Sequence, residues 1–204
     1  VLAGVILERA RLAARIAHLL ELIVGRASGG LAVVAVITCI FWGAISGSGP
    51  ATTAAVGLLL LRPMVRHGYA PEFSAATIAN ASDLSIIVPP SIAFIIYGNL
   101  TGTSVSALFM AGVIPGLLMG AAIAGVAWWV SWRHGYRGLE RRGTLREIAG
   151  ALRESIWALL APVIILGGIY AGVFTPTEAA VVAVFYSLFV AMVVYRTVKP
   201  RELM

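Results

Sequence analysis

Ser46, Ser48, Thr52 and Thr53 set four hydroxyls close together, with Gly47, Gly49 and Pro50 among them. The chemistry open to such a set is cation coordination by oxygen. Hydroxyls supply some ligands, and glycines let the backbone turn and present carbonyls. Such oxygens suit Na⁺. A helix beginning at Pro50 would add the positive end of its dipole, which suits a carboxylate. The bland alternative is a simple kink packed with small residues. A kink does not need both serines and the adjacent threonines.

The apolar runs on either side must position this set. Leu31 to Ile45 has no charge but only 15 residues, and Ala54 to Leu61 is shorter still. A helix that crosses a bilayer needs about 20 apolar residues. Two short helices meeting at a Ser-Gly tip therefore predict a re-entrant hairpin over 31–63. Its tip would lie at membrane depth, where irregular backbone is tolerated only against protein or a water-filled cavity.

A second irregular element follows. Phe73 to Val88 is apolar but carries Ser74, Thr77, Asn80, Ser82, Asp83 and Ser85, and Pro89-Pro90-Ser91 interrupts it before Ile92 to Leu100. Proline removes a backbone donor and obstructs the preceding carbonyl's partner. The spacing predicts a discontinuous helix with freed carbonyls near Ile87 and Val88. Together with the hairpin they would form one Na⁺ site, at Ser46, Ser48 and Pro89, within a binding region that adds Gly47, Gly49, Thr52, Thr53, Val88, Pro90 and Ser91. Asp83 is the one ionisable residue deep in an apolar segment. A charge at the bilayer centre costs at least about 2.5–3.5 kcal/mol, so Asp83 is read as binding a cation or a proton, or as a structural carboxyl paired with a neighbour such as Asn80.

Composition sets the class. The chain is 60% hydrophobic and 12% charged, with a mean hydropathy of +0.95; ordinary soluble domains are about 45–50% apolar and about 25% charged. An all-α integral membrane protein is expected. The net charge of +6 does not indicate nucleic acid, because every Lys and Arg flanks an apolar segment. The lone Cys39 excludes an internal disulfide and reads as a small buried hydrophobe. His18, His67 and His134 share no metal-ligand spacing, Gly47-x-Gly49 follows no strand, and no nucleophile–base set is visible, so an enzyme is not expected.

The remaining segments read as follows. Residues 1–30 form an amphipathic arm, one helix over 3–25 with Val5, Leu12, Ile16, Leu19, Leu20 and Ile23 on one side, lying on the membrane or against another helix. Residues 73–132 hold the broken helix and a spanning helix over Leu108 to Val130, with Trp128, Trp129 and Trp132 as an interfacial belt. Residues 133–155 form a basic cytoplasmic connector. Residues 156–204 hold two more spans, over Ile156 to Val173 and Ala179 to Tyr195, with Thr175 or Thr177 capping the second. With the hairpin re-entrant, all 15 Lys and Arg fall on the cytoplasmic side, as the positive-inside rule requires. A full crossing there would split them between both faces. The chain, which opens on Val1, is read as a piece of a longer protein.

The run Phe41-Trp42-Gly43-Ala44-Ile45-Ser46-Gly47-Ser48-Gly49-Pro50-Ala51-Thr52-Thr53-Ala54-Ala55-Val56-Gly57 resembles the first hairpin of the large membrane subunit of TRAP (tripartite ATP-independent periplasmic) transporters. Pro89-Pro90-Ser91-Ile92, Tyr97-Gly98 and Thr101-Gly102-Thr103-Ser104 resemble that family's first broken helix. Leu108 to Gly116 and Gly172 to Ala180 are similar to later motifs. Ser82-Asp83-Leu84-Ser85 departs from the smaller, glycine-containing run of many relatives. The resemblance implies a bacterial inner-membrane, multi-pass protein holding one half of an inverted-repeat, elevator-type transporter, with residues 156–204 opening the second repeat. It implies Na⁺ as coupling ion without other cofactor, carboxylate import, and three partners: a small membrane subunit, a periplasmic substrate-binding protein and membrane lipid. Two alternatives stand beside it: a non-transporting scaffold whose residues 3–25 bind a partner, and an H⁺-coupled transporter using Asp83.

Overall fold

The computed structural model describes residues 2–139 and 143–197, which fold as helices and short connections without a strand. In chain order the helices are α1 Leu2–Arg9, α2 Leu12–Val24, α3 Gly30–Ser46, α4 Gly49–Arg66, α5 Pro71–Ser82, α6 Leu84–Ile87, α7 Ile92–Thr101, α8 Val105–Arg133, α9 Leu145–Tyr170 and α10 Pro176–Phe189. A π-helical turn over Val190–Val194 ends α10. Among the described residues, four stretches are long and apolar enough to cross a membrane: Pro71–Thr101, Val105–Arg133, Leu145–Tyr170 and Pro176–Val194.

Helix α3 is not among them. Its 17 residues rise about 25 Å at about 1.5 Å per residue, short of a hydrocarbon core about 30 Å thick. It runs antiparallel to α8, and two contacts give the register: a side chain at Gly29 would strike Ser131, and Gly120 sits against Ile40. Counting the six residues from Ile40 to Ser46 back along α8 from Gly120 brings the end of α3 level with Ile114, between Gly112 and Gly116. Gly112 is seven residues inside Val105, about 11 Å along the helix. The hairpin therefore turns back well before the far end of α8. Helix α4 returns to the starting face, where the ring of Tyr69 is buried among the hairpin's feet.

Close approach to α8 depends on a stripe of glycines four residues apart. A Cβ on Gly112 would lie 2.6 Å from the Ile87 carbonyl, one on Gly116 2.8 Å from Val88, and one on Gly120 2.8 Å from Ile40. Small residues at this spacing let helix backbones meet inside a bilayer. The feet of the hairpin are tied by the strand of chain after α8. Leu139 N–H donates to the Gly25 carbonyl at 2.7 Å, the Ser28 hydroxyl donates to the Tyr136 carbonyl, and Ala70 N–H donates to the Tyr136 hydroxyl. Tyr136 packs on Tyr69 with ring centroids 4.7 Å apart. Burial pushes the Tyr69 phenol up to about 12. At the opposite end Phe109, Ile165, Ile169 and Ala179 form a small apolar cluster joining α8, α9 and α10.

Three expectations change. The arm over 3–25 is two helices, because Arg11 adopts a left-handed backbone with φ 56°. Of its two expected placements it takes the one against other helices: Leu12, Ile16 and Leu19 are buried, with α2 packed on α3 and α9, although Ile23 is exposed. Helix α4 runs through Pro63 to Arg66, so the hairpin closes later than Arg62-Pro63. The basic connector ends at Thr144, whose side chain and Glu147 form a reciprocal cap that starts α9 at Leu145. Residues 140–142 of that connector and the tail from 198, with Lys199 and Arg201, lie outside the described residues.

The glycine stripe yields a direct expectation. Gly112→Leu should destabilise the protein by about 1–3 kcal/mol through overpacking, lowering the melting temperature in detergent. Gly125→Leu, at a site where a Cβ meets nothing, should change stability by less than about 0.5 kcal/mol. Equal melting temperatures for the two variants would contradict this packing.

Candidate functional site

The hairpin tip forms because α3 cannot continue through Gly47. That residue takes φ +63°, caps α3 with its N–H on the Gly43 carbonyl, and leaves the chain extended at Ser48 before Gly49 and Pro50 open α4. The break in the second element forms at Val88-Pro89-Pro90-Ser91, with a cis bond between the prolines. Ser91 restarts the helix: its hydroxyl donates to the Ile86 carbonyl and accepts from Phe94 N–H.

Tip and break meet backbone to backbone. Ile92 N–H donates to the Gly47 carbonyl at 3.4 Å. A Cβ on Gly47 would stand 2.7 Å from the Pro90 carbonyl oxygen, so only glycine fits there on grounds of both space and backbone angle. The C-terminal ends of α3 and α6 and the N-terminal ends of α4 and α7 thus converge on one spot. Such ends carry partial negative and partial positive charge respectively, a mixed environment that suits a small cation beside a carboxylate.

Hydroxyls tie the tip to the broken helix. Thr52 Oγ1 donates to the Ser48 carbonyl at 2.9 Å, lies 3.0 Å from Ser46 Oγ and accepts from Ser85 Oγ at 2.9 Å. Ser48 N–H is 3.4 Å from Ser46 Oγ. Thr52 and Ser85 are fully buried and Ser46 nearly so. Below them, Cys39 Sγ sits 3.7 Å from Ser82 Oγ. Beside the junction a cavity of about 290 Å³ opens toward α9 and α10, with Ser46, Gly47, Pro90 and Ser91 on one wall and Ile165 and Ala179 on the other.

The residues expected at the site divide in two. Ser46, Gly47, Ser48, Gly49, Thr52, Pro90 and Ser91 come together, with Val88 and Pro89 just behind, Val88 against Gly116. The carbonyl that faces Gly47 is Pro90's. Two residues stand apart. Thr53 is exposed and bonds the Gly49 carbonyl of its own helix. Asp83 is exposed at the α5–α6 junction, and Asn80 bonds back to Ala76, so neither belongs to the cluster.

Ser85 is the member that sequence reading missed. At about 100° per residue it falls on the face of α5 that carries Ser74, Thr77 and Ala81. Asp83, nine residues beyond Ser74, falls opposite. The buried serines, not the acid, mark the inward face.

A short hairpin buried against a proline-broken helix that is itself of membrane length, with three further membrane-length spans among the described residues, defines an all-α integral membrane protein with the architecture of a transporter. A family model described as the tripartite ATP-independent periplasmic transporter, DctM component, matches residues 1–204, and the chain belongs to that family, whose members reside in the bacterial inner membrane. It is similar to the C4-dicarboxylate TRAP transporter large permease protein DctM of Pseudomonas aeruginosa, 45% identical over 98% of this chain and 47% of that protein. It is similar to the 2,3-diketo-L-gulonate TRAP transporter large permease protein YiaN of Escherichia coli, 45% identical over 96% of this chain and 46% of that protein. The isethionate TRAP transporter permease protein DctMQ of Oleidesulfovibrio alaskensis is 44% identical over 95% of this chain and 31% of its own length. The chain spans half or less of the length of these curated relatives.

The hydroxyl relay predicts that Thr52→Val, which keeps shape but removes the shared oxygen, leaves Ser46 and Ser85 short of a partner. The expected cost is about 1–3 kcal/mol, read as a lower melting temperature in detergent. Thr53→Val, exposed on the next position of the same helix, should cost less than about 0.5 kcal/mol. Equal effects would mean that the relay contributes nothing to the joint.

Proposed function

We propose that this chain is the hairpin-bearing half of the large membrane subunit of a Na⁺-coupled secondary transporter that imports small carboxylates. In this reading a periplasmic binding protein delivers the solute, a small membrane subunit completes the membrane part, and a second, inverted repeat supplies the facing hairpin and break. Alternating access proceeds by an elevator motion of the hairpin unit. The single observation that carries the reading is the joint itself: the Gly47 carbonyl, the Pro90 carbonyl and the Ser46, Thr52 and Ser85 hydroxyls converge beside two helix N-termini.

The donor set is oxygen throughout, which fits Na⁺ as the transported coupling ion. The Gly47 carbonyl accepts one hydrogen bond and the Pro90 carbonyl faces it, so the ion would use lone pairs on these two carbonyls, while Ser46 Oγ, already bonded to Ser48 and Thr52, would exchange one of those bonds for the ion. A carboxylate would sit on the cavity side, toward the starts of α4 and α7. The solutes for which these relatives are named, C4-dicarboxylate, 2,3-diketo-L-gulonate and isethionate, are organic acids and support an anionic solute. The scaffold alternative finds less support, since α1 and α2 are packed inside the bundle. The H⁺ alternative lacks a link between Asp83 and the joint.

The test is initial-rate uptake of a C4-dicarboxylate by the complete transporter in proteoliposomes, with Na⁺ varied inside and out. Ser46→Ala should weaken Na⁺-dependent uptake roughly tenfold, the effect of about 1.4 kcal/mol. Asp83→Asn should keep the Na⁺ dependence. Unchanged Na⁺ dependence in Ser46→Ala, or uptake that follows a pH gradient and is lost in Asp83→Asn, would overturn the reading.

A further inference from the structure

Far from the hairpin tip, α2 and α9 enclose a polar notch of about 220 Å³. Arg11, Arg15 and His18 line it from one side, and Ala151, Glu154 and Ser155 from the other. Arg15 and His18 lie at i and i+3 along α2 and share one face, and Arg11, the residue before the helix, joins them in lining the notch. Arg15 is held in place. Its Nη1 is 3.3 Å from Glu154 Oε2, its guanidinium lies 4.1 Å over the Tyr195 ring, and the Ser155 hydroxyl donates to its carbonyl. Its buried Nε has no partner, which leaves an unspent donor. Arg11 is exposed beside it, on a left-handed backbone that turns the chain out of α1. The acid near His18 is Glu21, whose carboxyl burial pushes above its ordinary range.

The level of the notch along α9 is informative. Glu154 is the last charged residue before an uncharged run from Ser155 to Thr177. The notch therefore sits where the polar start of α9 enters the hydrocarbon, on the Arg-rich face assigned to the cytoplasm. Aromatic groups flank this level: the Tyr195 hydroxyl donates to the Glu154 carbonyl, and the Tyr186 hydroxyl donates to the Trp157 carbonyl at 2.6 Å. Guanidinium groups match phosphate oxygens in planar, bidentate fashion, and basic pockets between helices on the cytoplasmic side take anionic headgroups.

We propose that the notch between α2 and α9 is a phosphate site, formed by Arg11, Arg15 and His18 and filled by the headgroup of an anionic phospholipid of the inner leaflet. Arg15 supplies the fixed guanidinium, braced by Glu154 and Tyr195. Arg11 and His18 close on the phosphate from the open side. The lipid's acyl chains run along the uncharged part of α9.

The experiment is native mass spectrometry of the transporter in detergent, titrated with short-chain phosphatidylglycerol, short-chain phosphatidylcholine and inorganic phosphate. Phosphatidylglycerol should bind at least about fivefold tighter than phosphatidylcholine, the scale expected per cationic side chain near an anionic headgroup. Arg11→Gly with His18→Gln should abolish that preference. Both residues are exposed, and glycine suits the left-handed backbone at 11, so the fold should survive. Arg62→Gln with Arg66→Gln, at the hairpin's foot, should keep the preference. Equal binding of the two lipids by the unaltered protein overturns the site whatever the variants do, as does a preference that survives in Arg11→Gly/His18→Gln. Displacement of phosphatidylglycerol by millimolar inorganic phosphate would overturn the lipid as the source and assign the site to the free anion.

Discussion

The rest of the structure depends on one close approach of two backbones, the hairpin turn at Gly47 against the proline break at Pro90–Ile92. Inside a bilayer, non-helical backbone is tolerated only where protein or trapped water satisfies it. Each irregular segment here supplies part of what the other lacks. Ile92 N–H, the first amide of a restarted helix, finds the Gly47 carbonyl. Ser91 takes up the Ile86 carbonyl that the prolines would have stranded.

The surrounding elements hold this joint at its depth. The glycine stripe of α8 lets the broken helix press against a straight one at Ile87 and Val88. The Ser46–Thr52–Ser85 relay links the two arms of the hairpin to α6. At the other end the chain after α8 folds back on Gly25, Ser28 and Ala70, so the hairpin's feet are tied where its tip is jointed. Packing in lipid gains little from apolar burial alone, because lipid tails are as apolar as leucine. Close backbone contact and small internal hydrogen bonds take over that role.

Much of this was legible in the chain. Fifteen uncharged residues before Ser46 were too few to cross, and Gly47-Ser48-Gly49-Pro50 contained the turn. Pro89-Pro90 announced the break, and Thr175 and Thr177 offered the cap of α10, which Thr175 supplies. The misses have physical causes. Arg11 carries no glycine or proline signal, so the left-handed residue that splits the arm was invisible. The cap pair Thr144 and Glu147 was present, but the basic run around it read as a connector. Asp83 drew attention because a lone charge in an apolar run is costly, yet helical arithmetic turns it away from Ser74 and Ser85. The Gly112, Gly116 and Gly120 stripe was countable in the sequence and marks the surface on which the site is built.

The central claim is about depth, and a spin label reports depth directly. With Cys39, which is buried, replaced by alanine, a nitroxide goes on Ser48→Cys in the transporter in a bilayer. The ratio of its accessibility to dissolved oxygen and to a water-soluble nickel chelate is then compared with labels at Thr103→Cys and at Arg133→Cys, near the two ends of α8. The account predicts that the Ser48 label lies on the order of 10 Å deeper than the Thr103 label, given the rise per residue along α8. A Ser48 label at the same depth as Thr103, at the outer face, would mean that the hairpin crosses the membrane, and the joint as described here would be wrong.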